Sequence, residues 1–264
     1  MNILFDKQFL KKLNKNYNIN DEYVNISKEL VKIKIEKQKF NKQSFDKTIR
    51  IIRNILLSIN KNYLIILNKM LKEENENKPI IYIYNSNEEI NESLTFKNQI
   101  HFYKEDNIKD VYILLHEFTH FILNSKHILL NNNKEILPIL MEFIISNKLN
   151  DTTYIFDRLN DTIFNSKSLL IKNEIINNNF DLNDKIIEFN INDKELKMIE
   201  EDLLYNKNLD YNDEISYIKG FIYAYYYSND INNYKRLINN FKLDNINTNE
   251  VINDIRQLNK VRSK

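Results

Sequence analysis

Apolar residues recur every three or four positions over most of this chain, and the period changes in only one region. From Asp21 to about Asn75 the series Phe45, Ile49, Ile52, Leu56, Ile59, Tyr63, Ile66 and Met70 keeps to helical spacing, so two long helices are predicted there. Pro79 interrupts the pattern, and the β-branched and aromatic run from Ile80 to Tyr84 predicts a strand. Polar residues Asn85 to Asn91 separate it from two further short runs, Leu94 to Phe96 and Ile100 to Tyr103. Together these predict a small sheet of three strands. Past Asp110 helical spacing returns over 110–125, 135–149, 151–165, 193–206, 213–228 and 248–260. The expected fold class is mainly α with a small β-sheet (α+β). No internal repeat is found, and no Pro or Gly follows Gly220 to mark a linker. The expected division is a helical N-terminal part, 1–78, and a remainder, 79–264, that carries the chemistry; a single continuous domain is the alternative.

Composition narrows what such a fold can do. The 264 residues include 38 basic and 37 acidic side chains, a formal charge of +1, so no overall field draws the chain to nucleic acid or to an anionic membrane. Neither partner is expected. The absence of cysteine excludes disulfides, thiolate ligands and a cysteine nucleophile. Any metal must sit on His, Asp and Glu. A single glycine, Gly220, rules out Gly-rich phosphate loops, whose turns need several positions of positive φ. The longest apolar tracts, Tyr63 to Leu67 and Ile215 to Tyr227, fall short of the ~18 clean residues of a membrane span, and Lys219 breaks the second. The first residues alternate charged and apolar side chains, unlike a signal peptide. A cytoplasmic location is expected, with export by another route left open. The Asn-rich runs 131–133 and 177–179 read as solvated turns.

One segment carries chemistry. His116-Glu117-Phe118-Thr119-His120 is an H-E-x-x-H motif inside an apolar helical stretch that begins at Asp110. Residues four apart on a helix are about 40° apart in azimuth and roughly 6 Å along the axis, so the two imidazoles can converge on one tetrahedral zinc ion. Glu117 then sits beside the ion, where its carboxylate can take a proton from metal-bound water and relay it to a leaving amine.

A third protein ligand is required, and His127 does not supply it. Leu123 and Lys126 occupy the places where a metzincin would have glycine and histidine, and on a continuing helix His127 lies about 10 Å beyond His120. It reads as a surface or helix-end residue. Glu142 is the preferred third ligand. Pro138 suits the first turn of a helix that returns after the polar loop 131–134, and the apolar flanks of Glu142 imply a buried carboxylate that needs a metal or a hydrogen-bonded partner. Glu135 is the spare candidate. Ser146, one turn after Glu142, is a candidate to hydrogen-bond a ligating histidine.

On these residues the chain resembles the gluzincin metallopeptidases, in which H-E-x-x-H and a downstream helical glutamate bind zinc. Asp110-Val-Tyr-Ile-Leu-Leu-His-Glu-Phe-Thr-His is similar to the D-V-x-T-L-x-H-E-x-G-H segment of the thimet oligopeptidase and oligoendopeptidase F family, and Glu142 to Ser146 to its glutamate-then-serine helix. Tyr217 to Ser228, with Gly220, is similar to its Tyr- and Gly-bearing helix. The resemblance covers roughly 79–150 and 211–260; Thr119 replaces a glycine, and no histidine accompanies the C-terminal tyrosines. It implies a zincin-like catalytic domain with helices before and after the metal site. It also implies a zinc peptidase acting on short peptides, with Tyr217 as oxyanion donor and Tyr211 or Tyr223 as alternatives. For the strand containing His101, residues 99–103, solvent exposure of the histidine is the default reading, and the resemblance adds the alternative of an edge that pairs with substrate. Packing alone is the competing account of the tyrosine-rich helix and of Gly220. An effector protease with one protein target and a zinc-binding helical interaction protein without turnover are the rival functions. Nothing in the residues bears on oligomeric state.

Overall fold

The computed structural model describes residues 4, 6–13, 19–36, 38–85, 93–126, 133–206, 209 and 211–262. It is mostly helical with a small mixed sheet, the expected α+β class. The elements are α1 (Lys7–Lys12), α2 (Asp21–Leu30), α3 (Phe45–Ile59), α4 (Lys61–Met70), β1 (Ile80–Asn85), β2 (Leu94–Phe96), β3 (Gln99–Lys104), α5 (Lys109–Ser125), α6 (Ile136–Leu149), α7 (Thr153–Ile176), α8 (Asn183–Glu188), α9 (Asp193–Asn206), α10 (Asn212–Tyr227), α11 (Ile231–Asn239) and α12 (Thr248–Arg262). They form two compact units: Met1–Glu36 with Arg158–Ile222 and Ile246–Lys264, and Lys37–Asp157 with Tyr223–Asn245. Among the described residues no helix is long and apolar enough to cross a membrane.

The division does not fall at residue 78. Helices α3 and α4 belong with the sheet and α5, because their apolar faces close on them: Phe45 stacks on Phe102 of β3 at 5.9 Å, and Tyr63 meets Phe118 of α5 edge-on at 6.5 Å. Three helices, not two, fill the region from Asp21 to Asn75. The apolar spacing runs on through Asn60, but that residue is extended (φ −160°, ψ 117°) and its side chain accepts the Asn62 N–H, starting a new helix.

In the second unit α5 is the central element. Val111, Tyr112, Leu114, Leu115, Phe118, Phe121, Ile122 and Leu123 are all buried, and a helix apolar on nearly every side is a core helix. The sheet covers part of it. Strand β3 is central, with β1 parallel on one side (Ile81 opposite Ile100) and β2 antiparallel on the other (Thr95 opposite Ile100). The strand of residues 99–103 is therefore not an edge, which corrects the expectation drawn for it. His101 lies half-buried on the face away from Ile100, stacked on Tyr82 at 5.1 Å and accepting or donating a hydrogen bond at Tyr84 Oη, 3.1 Å away.

The turn from β3 into α5 is fixed by Asp110. Its carboxylate accepts the backbone N–H groups of Glu105 (2.8 Å) and Asp106 (3.0 Å), and Asn107 Oδ1 accepts that of Lys109 (2.7 Å). Burial pushes the Asp110 carboxyl up to about 6, against the lowering effect of those two backbone donors.

Helix α7 begins at Thr153 among second-unit residues and continues through first-unit residues to Ile176, well past the predicted end at 165. Its later turns place polar groups inward, which hides the periodicity. Ser166 Oγ donates to the Thr162 carbonyl (2.8 Å), and Lys172 is buried between Glu214 Oε1 (2.5 Å) and Asp202 Oδ2 (2.7 Å). Gly220 is buried within α10, as are Ile218 and Phe221.

Candidate metal centre

The side chains of the second unit that could hold a metal come from α5 and the residue just before α6. On α5, four-residue spacing puts His116 and His120 on one face, and their Nε2 atoms stand 3.1 Å apart. The two ring nitrogens can share at most one proton. Glu135, the residue immediately before α6, brings Oε2 to 3.2 Å from His116 Nε2 and 3.4 Å from His120 Nε2. This oxygen is buried and has no hydrogen-bond partner. An orphaned buried carboxylate oxygen facing two imidazole nitrogens is a donor set that fits a cation. Among the described residues, His116, His120 and Glu135 are the group whose ligand atoms converge closely enough to hold a metal ion.

Glu142 stands elsewhere. Its Oε1 is 2.7 Å from Nδ1 of His116, the other ring nitrogen, and it also accepts from Tyr154 Oη at 3.5 Å. The structure thus brings Glu135, the spare candidate, to the two Nε2 atoms and places Glu142 behind the ring. The reason is helical geometry. Residues seven apart differ by only about 20° in azimuth, so Glu135 and Glu142 share one face of α6 about 10 Å apart, and a single imidazole spans the gap with a nitrogen toward each. Glu142 is wholly buried, as its apolar flanks implied, and the hydrogen-bonded partner is His116. Ser146 is also buried, but it neighbours the Tyr112 hydroxyl. Tyr112 in turn lies flat on Tyr154, ring centroids 4.0 Å apart.

Charge follows from this arrangement. Burial opposes a charged His116, yet Glu142 and Glu135 outweigh it and push the imidazole up to about 10. Burial would raise Glu135, but His120 and His116 hold it well below the ordinary carboxylate range. The two carboxylates thus favour the charged form of the His116 imidazole.

Glu117 is buried one residue from His116, and burial raises its carboxyl although His116, His120 and a hydrogen bond from Thr95 act the other way. Thr119, which stands where the resembling family has glycine, turns its hydroxyl back to the Leu115 carbonyl (2.8 Å), with Tyr234 Oη of α11 at 3.5 Å. His127 lies outside the described residues. Tyr211 and Tyr217 belong to the first unit; Tyr223 belongs to the second, where its ring lies 6.1 Å from that of Tyr227.

Sequence reasoning did not single out Thr95 or Tyr154. Thr95 reads as an ordinary strand residue. Tyr154 lies in the first turn of α7, and no spacing rule connects it to Glu142. The heptad separation of the two glutamates was the one available signal, and it becomes readable only once the start of α6 is known. No family model, curated protein or solved structure matches this chain.

Proposed function

We propose that this chain is a zinc-dependent peptidase whose ion is held by His116, His120 and Glu135, with Glu117 as general base. The carrying observation is the triangle of ligand atoms. Tetrahedral zinc with bonds of about 2.0–2.1 Å requires ligand atoms about 3.3–3.4 Å apart. The three separations here are 3.1, 3.2 and 3.4 Å.

Bound there, zinc would acidify a coordinated water and polarise a peptide carbonyl. The remaining work belongs to the chain. Glu117, adjacent to the ligands, accepts the proton of the attacking water and returns it to the departing amine; its raised carboxyl suits both steps. Glu142 accepts the Nδ1–H of His116, which selects the tautomer with a free Nε2 lone pair, and Tyr154 holds Glu142 in turn. β2 is an outer strand of the described sheet and touches Glu117 through Thr95, so it takes over from β3 the proposed role of pairing with an extended peptide. All these residues belong to the second unit, and the proposal assigns no role to Tyr217.

The test is a panel of quenched short peptides assayed with the zinc-loaded protein, with chelator, and with Glu117→Gln. Loss of hydrolysis by at least about 100-fold in Glu117→Gln, with zinc retained, is expected because an amide accepts no proton from water. Near wild-type turnover of Glu117→Gln refutes the mechanism. Cleavage of a folded protein with short peptides ignored favours the effector, and a zinc-loaded protein inert on every substrate favours the non-catalytic binder.

A further inference from the structure

Strand β2 has three residues, and only the middle one faces the metal helix. Thr95 lies opposite fully buried Ile100 and shares its face of the sheet, whereas Leu94 and Phe96 point to the other face and are 48% and 57% exposed. A β-branched apolar residue would serve the inward position equally well for packing. The hydroxyl present there has a specific use. Thr95 Oγ1 lies 2.8 Å from the Glu117 main-chain carbonyl and 2.8 Å from Glu117 Oε2.

We propose that Thr95 is a positioning residue for Glu117, its hydroxyl bridging the main chain and carboxylate of the same residue so that the carboxylate is held in one rotamer beside the metal ligands. This rests on the reading of Glu117 as the base. A glutamate side chain has three rotatable bonds, and fixing it costs rotamer entropy if nothing prepares it. Thr95 is suited to the preparation. Its own χ1 is stiff because it is β-branched, and the ladder to β3 fixes its backbone. The single hydroxyl proton serves either acceptor, and both choices keep the carboxylate close to its own carbonyl. A purely structural Thr95 would need only the carbonyl contact.

The experiment compares wild type, Thr95→Val and Thr95→Ser, with Thr95→Ala as a second variant should the valine protein fold poorly. Two readouts are taken: the Glu117 side chain in high-resolution crystal structures of the metal-free proteins, and kcat and KM of the zinc-loaded proteins on one peptide. Expected are a single Glu117 rotamer in wild type and Thr95→Ser, and several in Thr95→Val. In the kinetics kcat of Thr95→Val falls by about 10- to 100-fold, the range of a lost hydrogen bond to a charged group, while KM and bound zinc stay near wild type and Thr95→Ser recovers most of the loss. An unchanged single Glu117 rotamer in Thr95→Val overturns the proposal, and so does an equal loss of kcat in the serine and valine variants. The rotamers are read without turnover, so a wild type that cuts no peptide would refute the peptidase reading while the crystal structures still decide the role of Thr95.

Discussion

Replacing each of the two glutamates on the shared face of α6 with glutamine separates their roles. Apparent zinc affinities of structural sites near neutral pH are about 10–16 kcal/mol, so one of four ligand positions represents roughly 2.5–4 kcal/mol. Glu135→Gln replaces the carboxylate whose oxygen stands 3.2 and 3.4 Å from the two Nε2 atoms with a neutral amide, a poor zinc ligand, and zinc affinity should fall by about 10²–10³-fold. Glu142→Gln keeps an oxygen able to accept from His116 Nδ1 at the position now 2.7 Å away, and loses only the charge behind the ring. Its loss should stay at about 10- to 100-fold, as for other residues that support a ligating histidine. Competition against a chromophoric chelator at fixed pH measures both. Circular dichroism on the metal-free variants checks that each has folded. Equal losses, or a larger loss in Glu142→Gln, would refute the assignment of Glu135 and return Glu142 to the zinc.

Further outcomes follow from the same geometry. His116 is raised from 6.5 to about 10 in the metal-free fold, so the stability it contributes is complete below about pH 6.5 and is lost as pH rises through 10. Melting temperatures of the metal-free protein should therefore fall across that window, and His116→Asn should flatten the slope; parallel profiles for the two proteins would contradict the charge arrangement. Zinc must displace that proton, so affinity should rise steeply from pH 6 to 9 with proton release measurable by calorimetry in two buffers, and a pH-independent affinity would count against His116 as a ligand. Asp110→Ala removes the buried carboxylate that accepts the Glu105 and Asp106 backbone N–H groups and should cost about 1–3 kcal/mol by denaturant titration, more than Asp106→Ala on the surface.

Much of this arrangement was legible before the fold was known, for reasons that differ from residue to residue. His116, Glu117 and His120 were readable because four-residue spacing fixes relative position within a single helix, whatever surrounds it. The three strands were readable because β-branched and aromatic residues cluster between turn-forming ones. Glu135 and Glu142 tested the limit of spacing. Their burial followed from the apolar flanks of α6, but which of them reaches Nε2 depends on how far α6 slides along α5, a tertiary quantity. Asn60 shows a similar limit, since the apolar series crosses it unbroken and only its capping hydrogen bond divides α3 from α4. The hidden half of α7 is the converse case, where Ser166 and Lys172 face inward because Thr162, Glu214 and Asp202 wait there to satisfy them.

The short span of chain that supplies the centre bears on how the protein folds. His116, Glu117, His120, Glu135 and Glu142 all lie within the 26-residue separation of the first and last. Closing so small a loop is entropically cheap compared with gathering the first unit from three distant stretches of sequence. If the centre holds zinc as proposed, the α5–α6 pair can offer its ligand atoms to the ion while the rest of the molecule is still unformed. Metal present during synthesis would then act as a nucleating cross-link between two helices, and refolding with zinc should be faster than refolding followed by zinc addition.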